Sequence, residues 1–167
     1  VTVANTTTSD LAFTMRFLGH DTDGRNGTVK TMGVGAGKTV TYPDVLGSVF
    51  GMSAGYGAIR IVADGAGLVV MGQTSTPGAG GTLGQSVPAF RSTDLVRQGS
   101  PQVITPVQND AAFRTNLILA NANETALDVD VSLVSDAGKL LGARTYSLPP
   151  LGMTQVTGVV KDLGVSE

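Results

Sequence analysis

The 167-residue chain is 41% hydrophobic and only 14% charged, with a net charge of −2. That balance provides apolar material for a core and gives no electrostatic basis for binding nucleic acid or an anionic membrane. The absence of cysteine excludes disulfides, thiolate metal sites and a cysteine nucleophile, and no stretch is apolar enough to insert across a bilayer as a helix.

In chain order, residues 1–4 form a short apolar run that reads as a strand rather than a signal peptide. The expectation is therefore a piece of a longer mature protein. A polar turn over residues 5–10 follows. Residues 11–17 then alternate Leu11, Phe13, Met15 and Phe17 against Ala12, Thr14 and Arg16, which is the period of a half-buried strand. A turn ending at Gly24 leads to a third strand and a glycine-rich corner, and residues 38–42 predict a fourth short strand. Residues 43–50 suit one or two helical turns with Gly51 as the C′ glycine.

Residues 56–63 predict a strand, Asp64-Gly65 a hairpin turn, and residues 68–74 the returning strand. The glycine-rich stretch 76–84 reads as a loop and residues 84–90 as a last strand. Residues 91–101 read as a linker, and residues 102–107 are expected to open a second unit.

The second half repeats the first. Residues 117–134 restate residues 1–18 at a spacing of 116, so that Val3 matches Leu119 and Asn5 matches Asn121. Leu11, Phe13, Met15 and Phe17 match Leu127, Val129, Val131 and Leu133. After the next turn the spacing falls to 114, and Lys30-Thr31 matches Arg144-Thr145. Residues 153–156 repeat the fourth strand, and residues 158–163 the helical turn, with Gly164 in the place of Gly51. Nothing in the second half corresponds to residues 56–90. The expected organisation is one β-sandwich repeat over 1–90, a linker over 91–101 and a second, shorter repeat over 102–167.

The run FRTNLILANANETALDVDVSLVSDAGKLLGARTYSLPPLGMTQV, residues 113–156, resembles a repeat of large secreted or surface bacterial proteins. GAIRIVADGAGLVVMGQTS and GTLGQSVPAF resemble the later half of the same repeat. The resemblance implies all-β architecture in tandem antiparallel β-sandwich, immunoglobulin-like units. It also implies an extracellular or cell-surface location and a structural or adhesive role, with no functional residues to carry over.

The chemical look-alikes are weighed between the two copies. Residues 33–39, Gly-Val-Gly-Ala-Gly-Lys-Thr, suggest a phosphate loop, but Met32 stands where its first glycine belongs. The second copy has Leu148-Pro-Pro-Leu-Gly152 there, and prolines lack the N–H donors of such a cradle. Asp21 and Asp23 begin a pattern like a calcium loop. Arg25 then stands where an oxygen ligand is wanted, and Met32 where a glutamate is. His20, the only histidine, would have to be the base of any Ser-His-Asp arrangement, and it has no counterpart in the second copy. Asp128 and Asp130 share one strand face about 7 Å apart by the strand rise, but Ala12 and Thr14 replace them in the first copy. Sugar binding lacks a tryptophan, leaving Tyr42, Tyr56 and Tyr146 as surface aromatics. Three sequons, at Asn5, Asn26 and Asn123, fall in predicted turns and mark surface loops.

The leading expectation is a non-enzymatic structural or interaction module that self-associates or joins neighbouring repeats by strand complementation. The competing readings are a glycan- or calcium-binding sandwich, with Asp21 and Asp23 as the calcium ligands and no other cofactor, and a small hydrolase built around His20.

Overall fold

The alternation in residues 11–17 becomes a strand in which Phe13 and Met15 are enclosed. The structure, a computed structural model, describes residues 1–165. Its strands are β1 (Thr2–Asn5), β2 (Leu11–Gly19), β3 (Val29–Val34), β4 (Thr39–Thr41), β5 (Gly57–Ala63), β6 (Leu68–Gly78), β7 (Gly81–Pro88), β8 (Leu117–Ala120), β9 (Leu127–Val134), β10 (Leu140–Leu148) and β11 (Met153–Val156). Single helical turns are α1 (Val45–Ser48) and α2 (Val159–Asp162). The protein is all-β, with strands over 47% of the chain in antiparallel sheets.

The chain divides into two compact units. The first is Val1–Arg16, Thr28–Gly55 and Ile61–Gln102; the second is Phe17–Gly27, Tyr56–Arg60 and everything from Val103. This differs from a cut at residues 91–101, because two segments of the first copy belong to the second unit. The alternation in β2 changes at the same place. Phe17, expected inward, is half-buried, and Leu18 is the buried residue instead.

In the first unit β1 lies between β4 and β6, and β7 follows β6, giving the sheet order β4-β1-β6-β7. The Leu11–Arg16 part of β2 pairs with β3 in a separate sheet. Val3 from one sheet and Phe13, Met15 and Val34 from the other are buried, together with Val49 and Phe50 beside α1. Gly51 follows α1 at φ +69° and its N–H donates to the Gly47 carbonyl, as expected of a C′ glycine.

In the second unit β8 pairs with β11 and β9 with β10. Val156, Val159 and Leu163 form its buried cluster, packed by Leu117, Val131, Leu133, Tyr146 and Val160. Gly164 ends α2 at φ +79°. Pairing registers in the two units correspond. Val3 opposes Val40 and Leu119 opposes Thr154; Phe13 opposes Met32 and Val129 opposes Tyr146.

Three expectations are corrected. Asp64-Gly65 is not a hairpin turn: β5 pairs in the sheet of β2, while β6 pairs with β1. The groups of this connection are held by distant segments of the chain. The Asp64 carboxylate accepts the Ala12 N–H at 3.2 Å, and the Gly67 carbonyl accepts the Thr6 N–H at 2.9 Å. Residues 76–84 are not a loop but the tip of the β6–β7 hairpin, which closes through Ala79-Gly80 between Gly78 and Gly81. Glycine supplies the φ of +144° at Gly81 that this tight connection takes. Residues 102–107 form no strand. Pro101 precedes them and Pro106 lies among them, and neither can donate to a ladder.

Candidate functional site

The turn that carries Asp21 and Asp23 is built by docking onto β11, within the second unit. Asp21 sits at φ +49° and its N–H donates to the Met153 carbonyl at 2.7 Å. The Gly24 N–H donates to the Pro150 carbonyl at 2.9 Å. A side chain at Gly24 would collide with the Leu151 backbone, so glycine is required by close approach.

The structure does not aim the two carboxylates at a common point. Asp21 accepts the Thr154 hydroxyl at 2.6 Å and lies 3.3 Å from His20 Nε2. Asp23 is clamped by Arg25, whose Nε and guanidinium nitrogens reach both its oxygens at 2.6–3.1 Å. Those bonds hold its carboxyl below the usual carboxylate range. The arginine that takes the place of an oxygen ligand thus fills the site with its own charge. Among the described residues no three His, Asp or Glu side chains are grouped to hold a metal. His20 stacks on Tyr56, with ring centroids 4.6 Å apart, and has no serine within its contacts.

The other look-alikes are also structural. In the corner after β3, the Ala36 N–H donates to Asp10 Oδ1, the Gly37 N–H to the Thr7 carbonyl and the Lys38 N–H to the Gly35 carbonyl. These donors leave no phosphate cradle. The second unit builds the same corner from Pro149-Pro150-Leu151, with Leu151 at φ +46° where Gly37 has +63°. Asp128 and Asp130 accept hydroxyls from Ser147 and Thr145, their cross-strand partners, each at 2.6 Å.

Two buried asparagines were legible only as a match between copies. Asn5 is 2% exposed, and its amide nitrogen donates to the Ser9, Val34 and Gly35 carbonyls while its oxygen accepts the Thr7 N–H. Asn121 is 1% exposed and bonds the Thr125 and Pro149 carbonyls and the Asn123 N–H. The sequon at Asn5 therefore does not mark an accessible acceptor. Asn26 and Asn123 are exposed, as expected.

Sequence reasoning missed one side-chain cluster. Arg144 holds both oxygens of Asp162 at 3.0 Å and lies 5.5 Å from the centre of the Tyr146 ring. The Tyr146 hydroxyl donates to Asp162 at 2.6 Å. Burial, reinforced by that bond, pushes the phenol up to about 12. The cluster ties β10 to α2 across 16 to 18 residues, so no local spacing announces it.

What is not consumed by the fold is backbone at strand edges. β1 has neighbours on both sides, β4 and β6, whereas its counterpart β8 has only β11 among the described residues. β2 has β3 and β5, whereas β9 has only β10. Burial follows the missing neighbours: Val3, Phe13 and Met15 are buried, and Leu119, Val129 and Val131 are only half-buried. Ile118 is 60% exposed on β8.

Fold and site together define an antiparallel all-β protein whose singled-out polar side chains bond within its own fold and in which β7, β8 and β9 keep an open side among the described residues. No known family matches the chain, and neither a curated protein nor a solved structure is significantly similar to it.

Proposed function

We propose that the chain is a non-enzymatic structural or interaction module of a secreted or cell-surface bacterial protein, assembled by strand complementation between repeats or chains. In this reading its two units are tandem β-sandwich repeats of immunoglobulin-like type, and the second accepts strands that the first already holds. The observation that carries it is the open side of β8 and β9 where β1 and β2 are covered by β6 and β5. An added strand supplies main-chain hydrogen bonds for affinity and alternate side chains for specificity. Engagement of His20, Asp21, Asp23, Asp128 and Asp130 in the fold's own hydrogen bonds and contacts favours this reading over catalysis or calcium binding. The matched registers of the two units support a duplicated module.

The test is hydrogen exchange on the full chain with and without a peptide of residues 66–75. Protection of residues 117–121 on peptide addition is the expected result. Amides of β8 and β9 already protected in the monomer to the level of β1 and β2, and unmoved by the peptide, would overturn it.

A further inference from the structure

A different edge, in the first unit, carries a second interaction. β7 ends the sheet β4-β1-β6-β7 and has no neighbour on its far side among the described residues. All eight of its residues are exposed, Leu83 at 74%. No residue from Gly65 to Phe90 is charged. Exposed edges are ordinarily protected by lysine, by a bulge or by a covering segment. Here the β6–β7 ladder runs unbroken from Met71↔Pro88 to Gly78↔Gly81, with no bulge and no charge.

A second segment holds the reciprocal feature. Residues 102–105, Gln-Val-Ile-Thr, are charge-free, three of the four β-branched, and without secondary structure, and the peptide bond from Thr105 to Pro106 is cis. Val103 is 85% exposed and Ile104 63%. None of their backbone groups has a hydrogen-bond partner among the described residues. The turn that follows is closed on itself: Asp110 accepts from Gln108, Ala112 and Phe113, and Thr115 exchanges bonds with Gln108. The open segment therefore ends at a fixed point. Its β propensity is high, and prolines at its ends are tolerated in an edge strand.

The geometry points to β7 of one molecule receiving residues 102–105 of a second copy of this chain as an added edge strand. Each half satisfies what the other lacks: one has an unpaired row of N–H and C=O groups on its far side, the other an exposed backbone without hydrogen-bond partners among the described residues. Neither carries a charge that the pairing would have to bury. The contact is heterologous, head to tail, so it leaves one donor and one acceptor free at the ends and propagates. A ladder of this length falls at the weak end of interface sizes, so association grows with concentration instead of saturating as a tight dimer. It concerns neither β8 nor β9 and does not depend on their occupancy.

The experiment uses sedimentation and light scattering on the full chain across a wide concentration range, with Leu83→Lys and Ile104→Lys. Both sites are exposed, so circular dichroism and melting should match the unsubstituted chain. Each substitution alone is expected to weaken self-association by about tenfold or more, because a lysine beside a forming ladder opposes edge pairing. Mixing the two variants is the decisive arm. Leu83→Lys keeps a good donor segment and Ile104→Lys keeps a good β7, so the mixture should form a 1:1 heterodimer that does not extend. Three outcomes would overturn the inference. One is a chain that stays monomeric at every concentration. Another is self-association unchanged by either substitution. The third is a mixture that restores nothing. Protection of residues 102–105 that is independent of concentration would assign the pairing to a single molecule and also overturn it.

Discussion

The buried asparagines show how much one side chain holds in this fold. Asn121 ties its own turn to the corner at Pro149 through bonds of 2.8–3.0 Å at 1% exposure. Replacing it with alanine leaves two carbonyls and an N–H without those partners at a part-buried corner. Asn121→Ala should therefore cost about 2–4 kcal/mol, read as a lower urea midpoint. An aspartate would keep the acceptor but lose both donations, so it should not rescue. Tyr146 gives a pH-dependent prediction. Its phenol is raised from 10.0 to about 12 in the folded chain. Its contribution is fully present below about pH 10 and is lost as pH rises toward about 12, because the unfolded chain releases the proton first. Burial raises Tyr42 as well, with the same sign. Urea midpoints measured across that alkaline window should fall for the unsubstituted chain and fall less for Tyr146→Phe. Asn5 and Asn121 were visible in the sequence as a matched pair, but their burial was not. A polar residue in a turn reads as surface until the segments it bridges are known to converge.

At the scale of elements, alternation and turn chemistry carried most of the information. Strands β2 and β9 were legible from period-two patterning, and the helical turns from the glycines that stop them. Gly51 and Gly164 take φ of +69° and +79°, a conformation that a side chain disfavours by roughly 1 kcal/mol. Gly51→Ala should lower stability by about that amount in a thermal melt, since no atom lies within 4 Å of an added Cβ and only backbone strain acts. Gly24→Ala should cost more, because there the added carbon meets the Leu151 backbone. The Asp64-Gly65 signal was read as a hairpin, yet the chain crosses between sheets there. A turn dipeptide encodes a reversal of direction and not which strand will be the neighbour. The hairpin tip at 78–81 failed for the opposite reason: glycine-rich sequence lowers strand propensity, but the ladder with β6 outweighs it.

For the molecule as a whole, the copies in sequence and the units in space do not coincide. Phe17–Gly27 and Tyr56–Arg60 belong with the residues from Val103 onward. They donate to Met153 and Pro150 and pack His20 against Tyr56. A fragment of residues 102–167 lacks them and should be less stable than the same residues in the full chain. Amide dispersion and exchange rates around Met153 and Thr154 are the measurement, and a fragment as protected as the full chain would show those segments to be dispensable.

The sequence by itself determined the all-β class, the strand alternation, the helix stops and the correspondence of Asn5 with Asn121, because each depends on local geometry or on comparison of two copies. It also exposed the phosphate-loop and calcium-loop patterns as defective at single positions. Only the tertiary structure decided that Asp23 is neutralised by Arg25, that Tyr146 and Arg144 meet Asp162, and that β7, β8 and β9 keep an open side among the described residues. Those outcomes depend on which distant segments become neighbours, and neighbour choice is set by the summed burial of whole faces, which no short window of residues contains.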